Sequence, residues 1–349
     1  MSISKHIAKS HTPLIIAELS ANHNQSLEIA KDSIRAIAAC GADGVKLQTY
    51  TPECLTLQSN EPHFCISGGT LWDKRNLYEL YKEAQTPWEW HKELFSLAKE
   101  LGLLIFSSPF SPKGVAFLES LQCPIYKVAS FEVMHYELIE AIAKTKKPII
   151  ISTGVATHKE LKTALEICHK YGCKDITLLH CISEYPAPLE SANLLAMPQL
   201  AKTYKKYNIK YGLSDHTLGA LCPSIATSLG ASMIEKHFIL DSSLGGVDSA
   251  FSMNKDEFKA MVEQVRDTAL ALGCKKPKIS ADIRKKRRQF ARSIWVSADI
   301  KKGEKFTHKN LSVVRPSGGE HPRYLHKILG KSAKVALKAA QPLRLSDVK

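Results

Sequence analysis

A (β/α)8 barrel followed by a small β-rich domain is the architecture that this sequence predicts. Three observations lead to it. Eight short apolar runs carry polar residues only at their C-terminal ends, helix-sized intervals separate them, and the pattern stops after Leu272. Continuous apolar runs are what strands buried on both faces of a sheet require. Eight of them in alternation, within about 270 residues, favour a closed barrel over a doubly wound sheet, which usually has fewer strands.

In chain order the expected strands are LIIAEL (14–19), GVKLQ (44–48), LLIFSS (103–108), IYKVAS (125–130), PIIIST (148–153), ITLLHC (176–181), KYGLSD (210–215) and MIEKHF (233–238). Helices are expected between and after them, for example at Ser26–Cys40, Pro87–Leu101, Lys113–Leu121, His158–Tyr171 and Lys255–Leu272. The interval from Thr49 to Trp88 is too long for a simple crossover, and insertions of this kind at the C-terminal face of a barrel commonly cover the site. Residues 1–273 are thus read as the barrel and 274–289 as a basic linker. From residue 290 the KKG and SGG turns, short strand-like pieces and lack of long helices point to a separate small β-rich domain.

The 349 residues, with 44% hydrophobic content, suffice for one barrel-sized core and a small second one. The formal charge is 48 − 34 = +14. Much of this excess is local, because 275–292 holds nine Lys/Arg against one acidic residue. Without interleaved aromatics that run reads as a solvated linker rather than a nucleic-acid surface, while an excess of positive charge suits anionic small-molecule substrates. The nine cysteines are odd in number, scattered and free of any CxxC, which argues against a disulfide framework or structural zinc. MSISKHIAKSHTP lacks an apolar core, and no stretch approaches the roughly 18 apolar residues of a membrane span, so a cytoplasmic protein without membrane partners is expected.

The stretch from Gly212 to His237 is the most informative for chemistry. It reads as two successive parallel strands with a crossover helix, closing on Asp215–His216 and on Glu235 with His237. Both strand ends would meet at one rim, where two neutral imidazoles flanked by Ser214 and carboxylates can hold a divalent metal with open positions. A pair of histidines taken alone more often makes structural hydrogen bonds. The other strand ends add Glu18, Lys46, Gln48, Ser107, Ser108, Lys127, Ser130, Ser152, Thr153, Ser183 and Tyr185. Two lysines among many hydroxyls make an anion cradle, in which Lys supplies a point charge and Ser/Thr supply donors to phosphate oxygens.

Nearly the whole chain resembles the sialic acid synthase family. The motifs that carry the resemblance are IIAELSANHNQSLEIA, GADGVKLQTY, FSSPFS, YKVASFE, KPIIISTG, LLHCISEYPAP, GLSDHTLG, IEKHF, VDSAFSM and VVRPSGG. The insertion GGTLWDKRNLYELYKEAQTPWEWH is most similar to the branch whose product is pseudaminic acid. The resemblance implies a TIM barrel followed by an antifreeze-protein-like (SAF) domain. It also implies metal-dependent condensation of phosphoenolpyruvate with an open-chain N-acylated amino-deoxy sugar, releasing phosphate, with one Mn2+ or Mg2+ per subunit. On that resemblance Lys127, Ser130, Ser152, Ser183 and Ser214 would hold the phosphate and Lys46 the charge near the enolpyruvate carboxylate. His216 and His237 would ligate the metal. Glu18 would hydrogen-bond the reacting aldehyde or water, while Gln48, Tyr185, Glu235 and Asp248 would position the sugar. Members of the family often carry Asn where this chain has Ser183, a shorter donor. The family also implies a homodimer in which the small domain covers the partner's site, bringing Arg315 and Phe290 near the acceptor there.

Other readings of the same residues are a synthase acting on another acceptor, giving N-acetylneuraminate or legionaminate, and an aldolase with Lys127 as a Schiff-base nucleophile. A third is a binding protein that uses its basic tail.

Overall fold

The computed structural model describes residues 12–273 and 279–349. The N-terminal segment through His11 and residues 274–278 of the expected linker lie outside the described residues. The chain divides into two compact units, Met1–Gly273 and Cys274–Lys349.

In the first unit all eight expected strands form, and they close into a parallel barrel in sequence order. They are β1 (Leu14–Glu18), β2 (Gly44–Thr49), β3 (Leu104–Pro109), β4 (Tyr126–Val128), β5 (Ile149–Ser152), β6 (Ile176–Cys181), β7 (Lys210–Asp215) and β8 (Met233–His237). Every residue of β1, β6 and β8 is buried, which is why β1 and β6 run largely apolar without alternation, while the polar end of β8 faces partners inside and outside the barrel. Pairing of β1 with β8 from Leu14↔Met233 to Glu18↔His237 closes the ring. At Gly212 a Cβ would stand 2.3 Å from the Met233 carbonyl oxygen, so glycine is what lets β7 and β8 approach there.

The helices lie between the strands, as the apolar spacing requires. Leu27–Ala39 is opened by the Ser26 side chain, which accepts from the Ile29 amide. Capping boxes start His158–Lys170 at Thr157 and Lys255–Leu272 at Asn254. The expected helix over Pro87–Leu101 forms as a short 3-10 turn, Trp88–Trp90, running into the α-helix His91–Glu100. No described helix is long and apolar enough to cross a membrane.

The insertion between β2 and β3 carries the helices Pro52–Leu55 and Leu77–Ala84, joined by an irregular segment. That segment folds back on itself through a Cys65↔Asn76 bridge. The Gln25 side-chain amide ties its end to the carbonyls of Glu83 and Gln85, at 2.8 and 2.7 Å.

The second unit has its own core, including Ile294, Phe306, Leu311 and Leu343. Its two-stranded antiparallel sheet pairs β9 (Ser293–Val296) with β10 (Leu311–Val314). Part of the segment expected as linker is here a helix, Ala281–Phe290, capped by Ser280 and exposed throughout. The amide and hydroxyl of Ser317 both donate to the Arg288 carbonyl, at 3.2 and 2.8 Å, and fasten its end to the small unit. Five consecutive basic residues, Arg284–Arg288, are tolerated because all of them face solvent.

Candidate active site

Strand register decides which side chains meet at the barrel mouth. Glu18 on β1 pairs with Lys46 on β2 and with His237 on β8, so the three lie side by side on the inner face. Glu235, two residues before His237, points the same way and pairs in register with Ser214. Lys46 Nζ stands 3.0 Å from Glu18 Oε2 and 2.9 Å from Glu235 Oε1, and Lys127 Nζ stands 3.4 Å from Glu235 Oε1. All four side chains are almost wholly buried.

Burial alone would neutralise these groups, and pairing prevents it. It pushes the Glu18 carboxyl up, but Lys46 and His237 outweigh it and hold the pKa well below the carboxylate range. Burial likewise opposes the Lys46 ammonium, whose pKa Glu18 and Glu235 nevertheless raise above the ordinary lysine value. For Lys127 burial wins, and its pKa is lowered despite Glu235. Lys46 is committed to two carboxylates, whereas Lys127 has one longer contact and retains donors for an incoming anion.

Around Lys127 the expected hydroxyls gather. Ser130 Oγ and Ser183 Oγ are 2.8 Å apart, so the short Ser183 side chain reaches the cradle through Ser130. Ser152 Oγ is buried without a hydrogen-bond partner in the protein, a donor aimed at the cavity. Ser214 Oγ is engaged differently, donating to Glu235 Oε1 at 2.9 Å. Ser107 is also tied up, 2.6 Å from Thr49 Oγ1, which in turn meets His91 Nε2 at 2.8 Å. Gly154 follows β5 beside this group, and a Cβ there would lie 2.2 Å from Ser183 Oγ and 2.8 Å from Ser130 Cβ. Gly154→Ala is therefore expected to crowd the cradle and raise the KM for a phosphate-bearing substrate roughly 10-fold or more, about 1.4 kcal/mol. Because the position is exposed, Tm should hardly move; steady-state kinetics beside thermal melts check both.

The two histidines face each other with ring centroids 5.3 Å apart. Burial lowers the His216 pKa to about 4, helped by His237, and burial lowers that of His237 against the pull of Glu18. Both are thus neutral near pH 7. His216 Nδ1 lies 2.8 Å from the Ile182 carbonyl, which can only accept, so Nδ1 carries the proton and the Nε2 lone pair is available. His237 Nε2 lies 3.2 Å from the Glu18 carboxylate, while its Nδ1 is buried without a hydrogen-bond partner, 4.0 Å from Asp248 Oδ2. Neutral imidazoles, one fixed by a carbonyl and one beside a carboxylate, with an orphaned ring nitrogen, suit a divalent cation. Among the described residues no group of three or more His, Cys, Asp or Glu is arranged to hold a metal. A cation here would keep several positions for substrate and water.

Phe251 and Tyr185 wall this end, with Tyr185 4.4 Å from the His216 ring and Phe251 4.9 Å from the His237 ring, centroid to centroid. Gln48 donates to Glu18 Oε1 and to Ser20 Oγ, both at 2.9 Å. Asp248 accepts from Ser20 Oγ at 2.5 Å, and burial raises its pKa to about 6. These groups border one cavity of about 270 Å³, just under the roughly 300–1,000 Å³ usual for small-molecule sites. Most barrel residues expected at the site line it, but Ser107, Ser108 and Thr153 do not: Ser107 is held by Thr49 and Thr153 donates to the Leu179 carbonyl at 3.2 Å, while Ser183 meets the lining through Ser130.

Sequence reasoning also misplaced one carboxylate and missed another. Asp215 does not flank the site, because its side chain turns outward and pairs with the buried Lys236 at 2.5 Å. This ion pair locks β7 to β8 from outside, next in sequence to His216 and His237. The missed group is Glu132, on the one-turn helix Ser130–Glu132 after β4. It lines the cavity with Oε2 sealed and unpartnered, and burial raises its pKa to about 7 against the pull of Lys127. Such a carboxyl can give or take a proton near neutrality. Phe290 ends the exposed helix of the second unit and is 52% exposed. Arg315 is exposed just after β10 in the same unit.

A parallel barrel with a buried Lys/Ser cradle beside two neutral histidines defines a class of anion-handling barrel enzymes, and within it this chain belongs to the NeuB family. The family profile matches residues 33–277, and that of the SAF domain matches 291–349. The chain is 56% identical to the pseudaminic acid synthase of Helicobacter pylori, over 96% of this chain and 98% of that protein. It is 48% identical to the pseudaminic acid synthase of Campylobacter jejuni, over 95% and 96% respectively. Among solved structures, the N-acetylneuraminic acid synthetase of Leptospira borgpetersenii superposes with a TM-score of 0.69 at 29% identity, covering 79% of this chain and 90% of that one.

Proposed function

We propose that the chain condenses phosphoenolpyruvate with the open-chain form of 2,4-diacetamido-2,4,6-trideoxy-altrose, giving pseudaminic acid and phosphate. The observation that carries this reading is the buried Lys127 beside Ser130, Ser152 and Ser183, a preformed anion cradle one side chain away from a pair of neutral histidines. The identity to two pseudaminic acid synthases supports the choice of acceptor.

His216 and His237 would hold a divalent cation, Mn2+ or Mg2+, which supplies Lewis-acid polarisation of the acceptor aldehyde. C3 of the enolpyruvate forms the bond to the aldehyde carbon, water adds at C2, and the C2–O bond to phosphate breaks. Lys127 and the serines receive the departing phosphate, whose charge is met by donors already in place. Lys46 holds Glu18 and Glu235 ionised, which keeps Glu18 an acceptor for the aldehyde hydrate or the incoming water. Glu132, whose pKa burial raises to about 7, borders the same cavity and could exchange a proton there. Gln48, Tyr185 and Asp248 orient the sugar chain.

Phosphate release with phosphoenolpyruvate and a panel of acceptors tests the reading. The diacetamido-trideoxy-altrose should give the highest kcat/KM. A higher value for N-acetylmannosamine or for the legionaminate precursor would reassign the acceptor, and borohydride trapping of pyruvate on Lys127 would replace the synthase by an aldolase.

We further read the protein as a homodimer in which Arg315 and Phe290 serve the acceptor site of the partner. Mixing Arg315→Ala with His216→Ala chains separates the cases. If Arg315 acts in trans and subunits exchange freely, activity returns to roughly a quarter of wild type by symmetric-dimer counting. If it acts in cis, the mixture stays as inactive as its parents.

A further inference from the structure

We propose that Trp72 and Ile66, carried by the insertion between β2 and β3, form an apolar roof that selects acceptors ending in a methyl group. The inference rests on the reaction above and names a determinant of its specificity.

The cavity is chemically two-faced. Its floor holds Glu18, Lys46, Lys127 and Glu235 with the two histidines, and the carboxyls of Glu132 and Asp248 also border it. Its roof comes from the insertion, through Leu55, Ile66, Trp72 and Leu80, with the rings of Tyr50 and Tyr81 beside them. A substrate with a polar reacting end and an apolar far end fits only one way round.

Trp72 reaches from the insertion into the aromatic wall of the site. Its indole N–H donates to the Val247 carbonyl at 2.9 Å, one residue before Asp248. Its ring centroid is 5.7 Å from that of Tyr185 and 6.3 Å from that of Phe251, the two rings that pack on His216 and His237. Trp72 therefore stands one aromatic layer from the reacting end of the cavity. With its only polar hydrogen committed to Val247, the indole presents carbon to the remaining space.

The roof is built before a ligand arrives. Asp73, next to Trp72, accepts from the amides of Gly69 and Thr70 and from the Thr70 hydroxyl, at 2.8, 2.9 and 2.9 Å. The Ile66 amide donates to the Arg75 carbonyl at 2.9 Å, and the Lys74 amide donates to the Ile66 carbonyl at 2.8 Å. These bonds close the turn and hold Ile66 and Trp72 in one wall. A methyl against such a wall loses water and leaves nothing unpaired, whereas a hydroxymethyl gains no donor or acceptor from Ile66 or from the indole face of Trp72.

The test compares kcat/KM for 2,4-diacetamido-2,4,6-trideoxy-altrose with that for the same sugar bearing a 6-hydroxyl, at saturating phosphoenolpyruvate. The wild-type chain should favour the 6-deoxy sugar by about 10- to 100-fold. Trp72→Gln and Ile66→Thr should each lower that ratio about 10-fold without changing the KM for phosphoenolpyruvate, while Trp72→Phe, which keeps an apolar ring, should preserve most of it. Ile66→Thr leaves the Trp72–Val247 bond intact and carries the test if Trp72→Gln does not fold. An unchanged ratio in Ile66→Thr and in any folded Trp72→Gln, with equal losses on both sugars, overturns the roof while leaving the reaction standing. A wild-type chain that turns over neither sugar refutes the reaction, and the roof with it.

Discussion

His237→Ala is expected to abolish phosphate release and to weaken Mn2+ binding by about 10-fold or more, the range seen when a ligand or its support is lost. The contact with Glu18 and the packing on Phe251 account for one nitrogen and one face of the ring, but not for the other nitrogen. The ring is buried and kept neutral, with one nitrogen 3.2 Å from Glu18 and the other 4.0 Å from Asp248 and without a hydrogen-bond partner. A buried orphan nitrogen costs stability unless something occupies it, so its retention points to a ligand. His216→Ala should behave alike. Direct Mn2+ titration of each variant separates lost cation binding from a general collapse of the site, which circular dichroism would reveal. A variant that keeps full turnover after exhaustive chelation would remove the cation from the mechanism.

Lys127→Ala has the second largest expected effect. Lys127 has only one carboxylate contact, at 3.4 Å, against two for Lys46, and its removal takes from the cradle the cation with the most donors to spare. A charge-assisted hydrogen bond in such a place is worth on the order of 2–3 kcal/mol, so affinity for phosphoenolpyruvate should fall roughly 30- to 150-fold. Removing Lys127 also relieves Glu235 of one counter-charge, but Lys46 still pairs with it at 2.9 Å, so folding should survive. Isothermal titration with phosphoenolpyruvate reads the effect directly, and an unchanged affinity would mean that the phosphate sits elsewhere.

Much of this site was legible because a strand buried on both faces leaves its chemistry at its end. Glu18, Lys46, Lys127, Glu235 and His237 all fall where an apolar run turns polar, and the register of a closed barrel brings such ends together. The same run cannot say which of two adjacent polar residues faces inward. Asp215 and His216 looked equivalent, and only the alternation along β7, set against the outward Lys236 of β8, sends Asp215 outside. Glu132 escaped notice because it sits past the strand on a single helical turn, where neither period applies. Its one trace in the sequence is a carboxylate two residues beyond Ser130 among apolar neighbours. Trp72 was hidden for another reason, since 175 residues of chain separate it from Val247 and only the fold joins them. The basic run illustrates the limits of composition. Its charge marked it correctly as solvent-facing, but the Ser280 cap and the bonds from Ser317 make a helix of what looked like a linker.

The central claim is that the Lys127 cradle receives phosphate released by C–O cleavage when an amino-sugar aldehyde is attacked. Phosphoenolpyruvate labelled with oxygen-18 in the bridge between C2 and phosphorus tests it most directly. Incubated with 2,4-diacetamido-2,4,6-trideoxy-altrose and Mn2+, the chain should place the bridging label in inorganic phosphate, with release strictly dependent on the sugar. Label retained at C2 of the nine-carbon product, or phosphate released equally without the sugar, would contradict the account.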